Sequence, residues 1–193
     1  MQGFIRHAGS VLACFVLAFA STVAHSQAAA PAKPAVGTVM TPAATYGKLL
    51  SMLEKEFVDA VEAMPEDKFN FAPSTGEFKG VRSFGAQVKH VASANWFFFG
   101  GPDMTEEKDK AKGDAIEKLT TKAEIVQALK DSLAQAHTYV DGITAGNAFV
   151  MTEHGTRGGM ASFGIAHMMD HYGQLVVYLR MNGIVPPASR GSM

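Results

Sequence analysis

Cysteine is almost absent from this sequence: Cys14 is the only one, and it lies ahead of the region that reads as folded. Disulfides, thiolate metal sites and a cysteine nucleophile are therefore excluded from the mature chain. Such a chain suits an exported protein that needs no staples. A surplus of charge is lacking too, with 17 Lys and Arg against 18 Asp and Glu. Removing Arg6 with the leader changes 17 to 16 and leaves a net of −2. Nothing in that balance provides a basic footprint for nucleic acid or an anionic membrane. Long apolar runs are also missing. The run "VLACFVLAFA" has ten residues, whereas a membrane-spanning helix needs roughly 20. Strand signals are few, and there is no internal repeat.

What is present at the N-terminus reads as a secretory signal peptide over residues 1–26. Arg6 supplies the basic start, Val11 to Ala20 the apolar centre, and Ala24 and Ser26 the small residues before a cut ahead of Gln27. A lipobox reading of Val11-Leu12-Ala13-Cys14 is disfavoured, because the apolar stretch continues past Cys14 where lipidation should close it. The expected location is periplasmic or secreted, with no stable membrane span once the leader is removed. Residues 27–40, "QAAAPAKPAVGTVM", carry Pro31 and Pro34 and few large apolar side chains, the composition of a flexible tether. Residues 41–190 remain as one domain able to bury a core.

Apolar periodicity in that domain predicts four helices. Thr41-Pro42 forms an N-cap and first-turn proline. Leu49, Leu50, Leu53, Phe57, Ala60, Val61 and Met64 then repeat at three-four spacing, and Pro65 stops the helix. The second spans Ser83 to Phe99, ended by Gly100-Gly101-Pro102. Thr121 to Glu124, "TKAE", is a capping-box pattern opening the third, whose face includes Ile125, Leu129, Leu133, Ala136 and Val140. The fourth covers Met160 to Met181, with Asn182-Gly183 as its stop. The alternating charges of Met104 to Asp114 read as a solvated loop or frayed turn, and "AFVMTEH" as a short extended segment. Together these predict an all-α, up-and-down four-helix bundle.

In "AHMMDHYGQL", His167 and His171 stand at i and i+4 on one face of the fourth helix. Two imidazoles at that spacing can share a metal ion, or they can be hydrogen-bonded core residues. The surroundings favour the ion, since Met160, Phe163, Ile165, Met168, Leu175 and their neighbours make the helix apolar nearly all round. Polar nitrogens buried there need partners. Three histidines are candidates for a third ligand. His90 lies inside the second helix between small Ala86 and Ala94, His137 at the margin of the third helix face, and His154 in the glycine-rich connection "TEHGTRGG". Geometry favours His90, because a ligand on a facing helix is held more rigidly than one on a loop.

Three pieces of the chain, "SFGAQVKHVASAN", the HxxxHxxQ run from His167 to Gln174, and "YLRMNGIVPP", occur in an order that resembles the DinB/YfiT-like superfamily of metal-binding four-helix bundles. The resemblance covers residues 41–190. It implies a three-histidine site of His90, His167 and His171 that binds a divalent metal such as zinc, nickel, iron or manganese. Three imidazoles leave at least one coordination position open, as in catalytic rather than structural zinc sites, and imidazole does not choose among these metals. Asp170 and Gln174 are candidates for supporting the ligands; each also reads as an ordinary helix residue. Arg157, beside Gly158-Gly159, reads either as a contact for an anionic ligand or, preferentially, as a surface residue. Trp96 and Phe97 to Phe99 supply core and one wall of a pocket, and the 11 methionines read as core filler.

Two functional classes follow. One is a metal-dependent hydrolase or thiol transferase; the other is a non-catalytic bundle that binds metal or a small ligand. The ligand itself is not legible, and an apolar outer helix face would allow two copies to pair.

Overall fold

Thr41 starts the first helix as the sequence predicts. Its Oγ1 accepts from the Ala44 N–H at 3.1 Å, and Pro42 occupies a position whose N–H would have no intrahelical partner. The helix α1 runs Pro42–Ala63 and buries Leu50, Leu53, Phe57, Ala60 and Val61 along one face. The computed structural model describes Gly3 and residues 33–101 and 104–191. Gly3 apart, the expected leader (residues 1–26) and the tether as far as residue 32 lie outside the described residues. Lys33 to Thr38 show a single turn, with the Thr38 N–H donating to Ala35 O at 3.1 Å. All helices among the described residues belong to the unit that begins at Val39.

The helix α2 spans Phe84–Phe99 and is capped by Ser83. The expected loop at Met104 to Asp114 is instead mostly helix: α3 runs Glu106–Glu117. Its stability is local and electrostatic. Thr105 Oγ1 accepts from the Lys108 N–H at 3.3 Å. Glu106, Glu107 and Asp109 occupy the first turn, where acidic groups oppose the positive end of the helix dipole. The Lys112 ammonium lies 4.2 Å from the centre of the Trp96 ring. Only Ile116 is buried, so no apolar stripe advertises this helix.

The helix α4, Lys122–Asp141, has the predicted capping box: Thr121 Oγ1 accepts from the Glu124 N–H and a Glu124 carboxylate oxygen accepts from the Thr121 N–H. The last helix, α5, covers Arg157–Met181. It begins three residues before Met160, because Thr156 Oγ1 caps it by accepting from Gly159 N–H at 3.1 Å. At its end Gly183 takes φ +73°, a conformation that costs glycine nothing, and Ile184 N–H donates to Leu179 O at 2.9 Å. The expected extended segment before α5 reduces to one isolated antiparallel bridge, Met151 with Thr156.

Side-chain pairings give the helix directions. Glu54 meets His137 while Glu62 meets Lys130, so α1 and α4 are antiparallel. Lys89 reaches Glu117 and Trp96 meets Lys112, making α2 and α3 antiparallel. Asn95 Nδ2 donates to Ser132 Oγ and Gln135 to Phe99 O, which makes α2 and α4 parallel neighbours. Tyr178 OH donates to Arg82 O while Gly164 packs on Phe99, so α5 runs against α2. The chain therefore reverses at every helix. The unpredicted α3 carries the chain back along the outside of α2, so that α4 can descend beside α2. Four helices, α1, α2, α4 and α5, enclose the core of Phe57, Phe84, Phe99, Leu129, Leu133, Met168, Leu175 and Leu179.

Candidate metal centre

The α2–α5 contact is unusually close at one point. A Cβ on Gly164 would lie 2.5 Å from Phe99 Cζ and 3.0 Å from Phe98 Cβ. A bare glycine here lets α5 approach α2, and His167 follows one turn later. At that level His90 from α2 and His167 and His171 from α5 come together. One nitrogen from each lies within 4.8 Å of the others. His167 Nε2 stands 3.2 Å from His90 Nε2 and 3.2 Å from His171 Nε2. His171 is 6% exposed, while His90 and His167 are half-buried.

Hydrogen bonding alone does not satisfy this cluster. In a neutral imidazole Nε2 carries either one proton or one in-plane lone pair, so His167 Nε2 cannot bond to both neighbours at once. The Nδ1 atoms of His167 and His171 are also buried without a partner, which is costly in a low-dielectric interior. Extra protons offer no remedy. Burial pulls all three imidazoles below the ordinary histidine range. His171 falls to about 4, with the neighbouring His167 and His90 adding to the effect of burial. The Arg82 guanidinium also opposes protonation of all three.

A divalent cation fits the same donor set. Neutral imidazole is the ligating form, and the environment maintains it. Imidazole nitrogens sharing a tetrahedral zinc at about 2.0–2.1 Å stand roughly 3.3–3.4 Å apart, close to the 3.2 Å found here. The usual acceptor that orients a liganding histidine through its other nitrogen is missing for His167 and His171 among the described residues.

The other candidates fall elsewhere. His137 Nε2 lies 2.6 Å from Glu54 Oε2, tying α4 to α1. His154 is exposed and packs on the Phe97 ring at 4.9 Å. Asp170 accepts from Gln174 Nε2 at 3.0 Å rather than from an imidazole, although its charge favours the protonated forms of His167 and His171. Gln174 Oε1 in turn accepts from Gln87 Nε2 at 2.6 Å. This Asp170–Gln174–Gln87 chain locks α5 to α2 one turn from the histidines. Gln87, 3% exposed, escaped the sequence reading because a lone glutamine in an apolar helix carries no spacing signal. Phe98, expected as core and pocket wall, is buried and stands with its ring 5.3 Å from that of His167.

A comparison with known families matches residues 49–175 to the DinB superfamily. The chain belongs to that superfamily. A comparison with curated proteins found no match. The matched span takes in all three histidines of this DinB-superfamily bundle, together with Gln87, Asp170 and Gln174.

Proposed function

We propose that this is an exported DinB-superfamily protein that binds a divalent metal ion through His90, His167 and His171. The observation that carries the reading is the pair of 3.2 Å contacts at His167 Nε2, which no arrangement of protons on neutral imidazoles satisfies. The two α5 histidines supply an i, i+4 pair from one rigid helix, and His90 closes the set from α2. When bound, such an ion supplies a Lewis acid that lowers the pKa of a bound water or thiol and polarises a carbonyl. The Phe98 ring packs against the His167 imidazole, adding an apolar contact beside the cluster. We assign the activity to metal-dependent hydrolysis or group transfer. A non-catalytic binding role is the second reading, favoured by one observation: Asp170 is engaged by Gln174 and is not poised as a general base.

Purified protein should contain about one divalent metal per chain by elemental analysis and should turn over members of an ester and thiol-electrophile panel only when loaded. Metal without turnover supports the second reading; wild-type protein free of stoichiometric metal after growth in zinc-, nickel-, iron- and manganese-supplemented medium overturns the metal site in either reading and leaves only a bundle that binds a small ligand. Export rests on the basic, apolar and small-residue succession of residues 1–26. N-terminal sequencing of protein from the producing cell's exterior or periplasm should begin at Gln27. A full-length chain retained in the cytoplasm would contradict it.

A further inference from the structure

A cavity of about 310 Å³ lies where α2 ends and α5 begins, within the size range of small-molecule sites. Phe97, Phe98, Met104 and Met160 form its apolar lining, and Arg157 provides its cation. None of the three clustered histidines lines it. The Phe98 ring separates the two places, contacting His167 and also lining the cavity.

Arg157 is firmly placed. Its N–H donates to Val150 O at 3.2 Å, its carbonyl accepts from Tyr139 OH at 3.3 Å, and its guanidinium lies 5.2 Å from the centre of the Tyr139 ring. Yet its guanidinium makes no hydrogen bond or ion pair with any described residue, and Nε is shut off from solvent without a partner. A more ordinary role is a cation beside the C-terminus of α4, since a Cβ on Gly142 would meet an Arg157 Nη at 3.2 Å. The dipole of α4 does favour a cation there. It leaves the guanidinium N–H groups without a hydrogen-bond acceptor among the described residues, however, and a carboxylate would supply one.

We infer that this cavity binds a small organic monocarboxylate, with the carboxylate on Arg157 and an apolar body against Phe97, Phe98 and Met160. A planar fork of parallel N–H groups matches a carboxylate in two-point contact. The remaining charges set the valence of the ligand. Glu153 lines the same cavity, and Asp109 lines an adjoining one of about 260 Å³ that shares Phe97, Gly101, Met104 and His154. Among the described residues Glu153 shares the cavity with the one guanidinium, and that carboxylate disfavours a dianion such as a phosphate monoester. The inference does not rest on the histidine centre.

The test is calorimetric titration of 3-phenylpropionate, with the uncharged 3-phenylpropan-1-ol as comparison, into wild type, Arg157→Gln and His90→Ala. The acid should bind wild type about tenfold or more tightly than the alcohol, the worth of a charge-assisted pair. Arg157→Gln should abolish that preference while keeping the wild-type melting temperature and metal content. His90→Ala should bind the acid as wild type does, even if it has lost its metal. No binding of the acid, equal binding of acid and alcohol by wild type, or retention of the preference in Arg157→Gln overturns the proposal. So does loss of acid binding in His90→Ala, which would assign the carboxylate to the histidine centre. The wild-type comparison decides the matter even if Arg157→Gln fails to fold.

Discussion

His90→Ala is expected to lose bound metal altogether under conditions where the wild-type protein retains it. Removing an orienting partner of a ligand already costs about 10–100-fold in metal affinity, so deleting one of three ligands should cost at least about 100-fold. The loss should be specific. His137→Ala and His154→Ala should keep wild-type metal content, because His137 is committed to Glu54 and His154 packs on Phe97 at the surface. Stability provides a second reading of the same event. A ligand present at 100 times its dissociation constant stabilises the folded state by about 2.7 kcal/mol. Added zinc should therefore raise the melting temperature of apo wild type and leave that of His90→Ala nearly unchanged. Elemental analysis and thermal melts check both halves. Unchanged metal content in His90→Ala would remove the three-histidine assignment.

Gly164→Val should damage both the bundle and the site. Already a bare Cβ would sit 2.5 Å from Phe99 Cζ, and Phe99 is fully buried with its ring edge-on to Tyr139 at 5.8 Å. Phe98 Cβ, 3.0 Å from the same point, limits how far the ring can give way, so α5 is expected to move away from α2. Overpacking of this kind costs about 1–3 kcal/mol, and for a domain of this size each kcal/mol lowers the melting temperature by roughly 2–4 °C. The same displacement separates His90 from the α5 pair, so metal affinity should fall although no ligand is changed. Val at this position with wild-type melting and wild-type metal binding would show that the α2–α5 approach does not set the site.

The local signals in the sequence were sufficient for much of the fold. Thr41-Pro42, the Thr121–Glu124 box and Asn182-Gly183 act within one turn of chain, so they are readable without neighbours and mark the same helix ends in the structure. The helix α3 escaped because its stability comes from a Thr105 cap and charges along its own surface. A pattern search for buried faces is blind to such a helix. Missing it also hid how the chain joins α2 to a parallel α4.

At the candidate site, the sequence by itself determined the pairing of His167 with His171, because a spacing of four on an α-helix places two side chains on one face whatever surrounds them. It determined as well that no thiolate ligand comes from the chain after Cys14. Only the tertiary structure decided that His90, rather than His137 or His154, faces that pair. It alone joined Gln87 to Gln174 and left the Arg157 guanidinium beside a cavity. Each of these depends on the register between α2 and α5 or on the loop that leads into α5. That register is held by contacts such as Gly164 with Phe99, 65 residues apart in the chain (164 − 99), and Gln174 with Gln87, and helical spacing carries no information across such a distance.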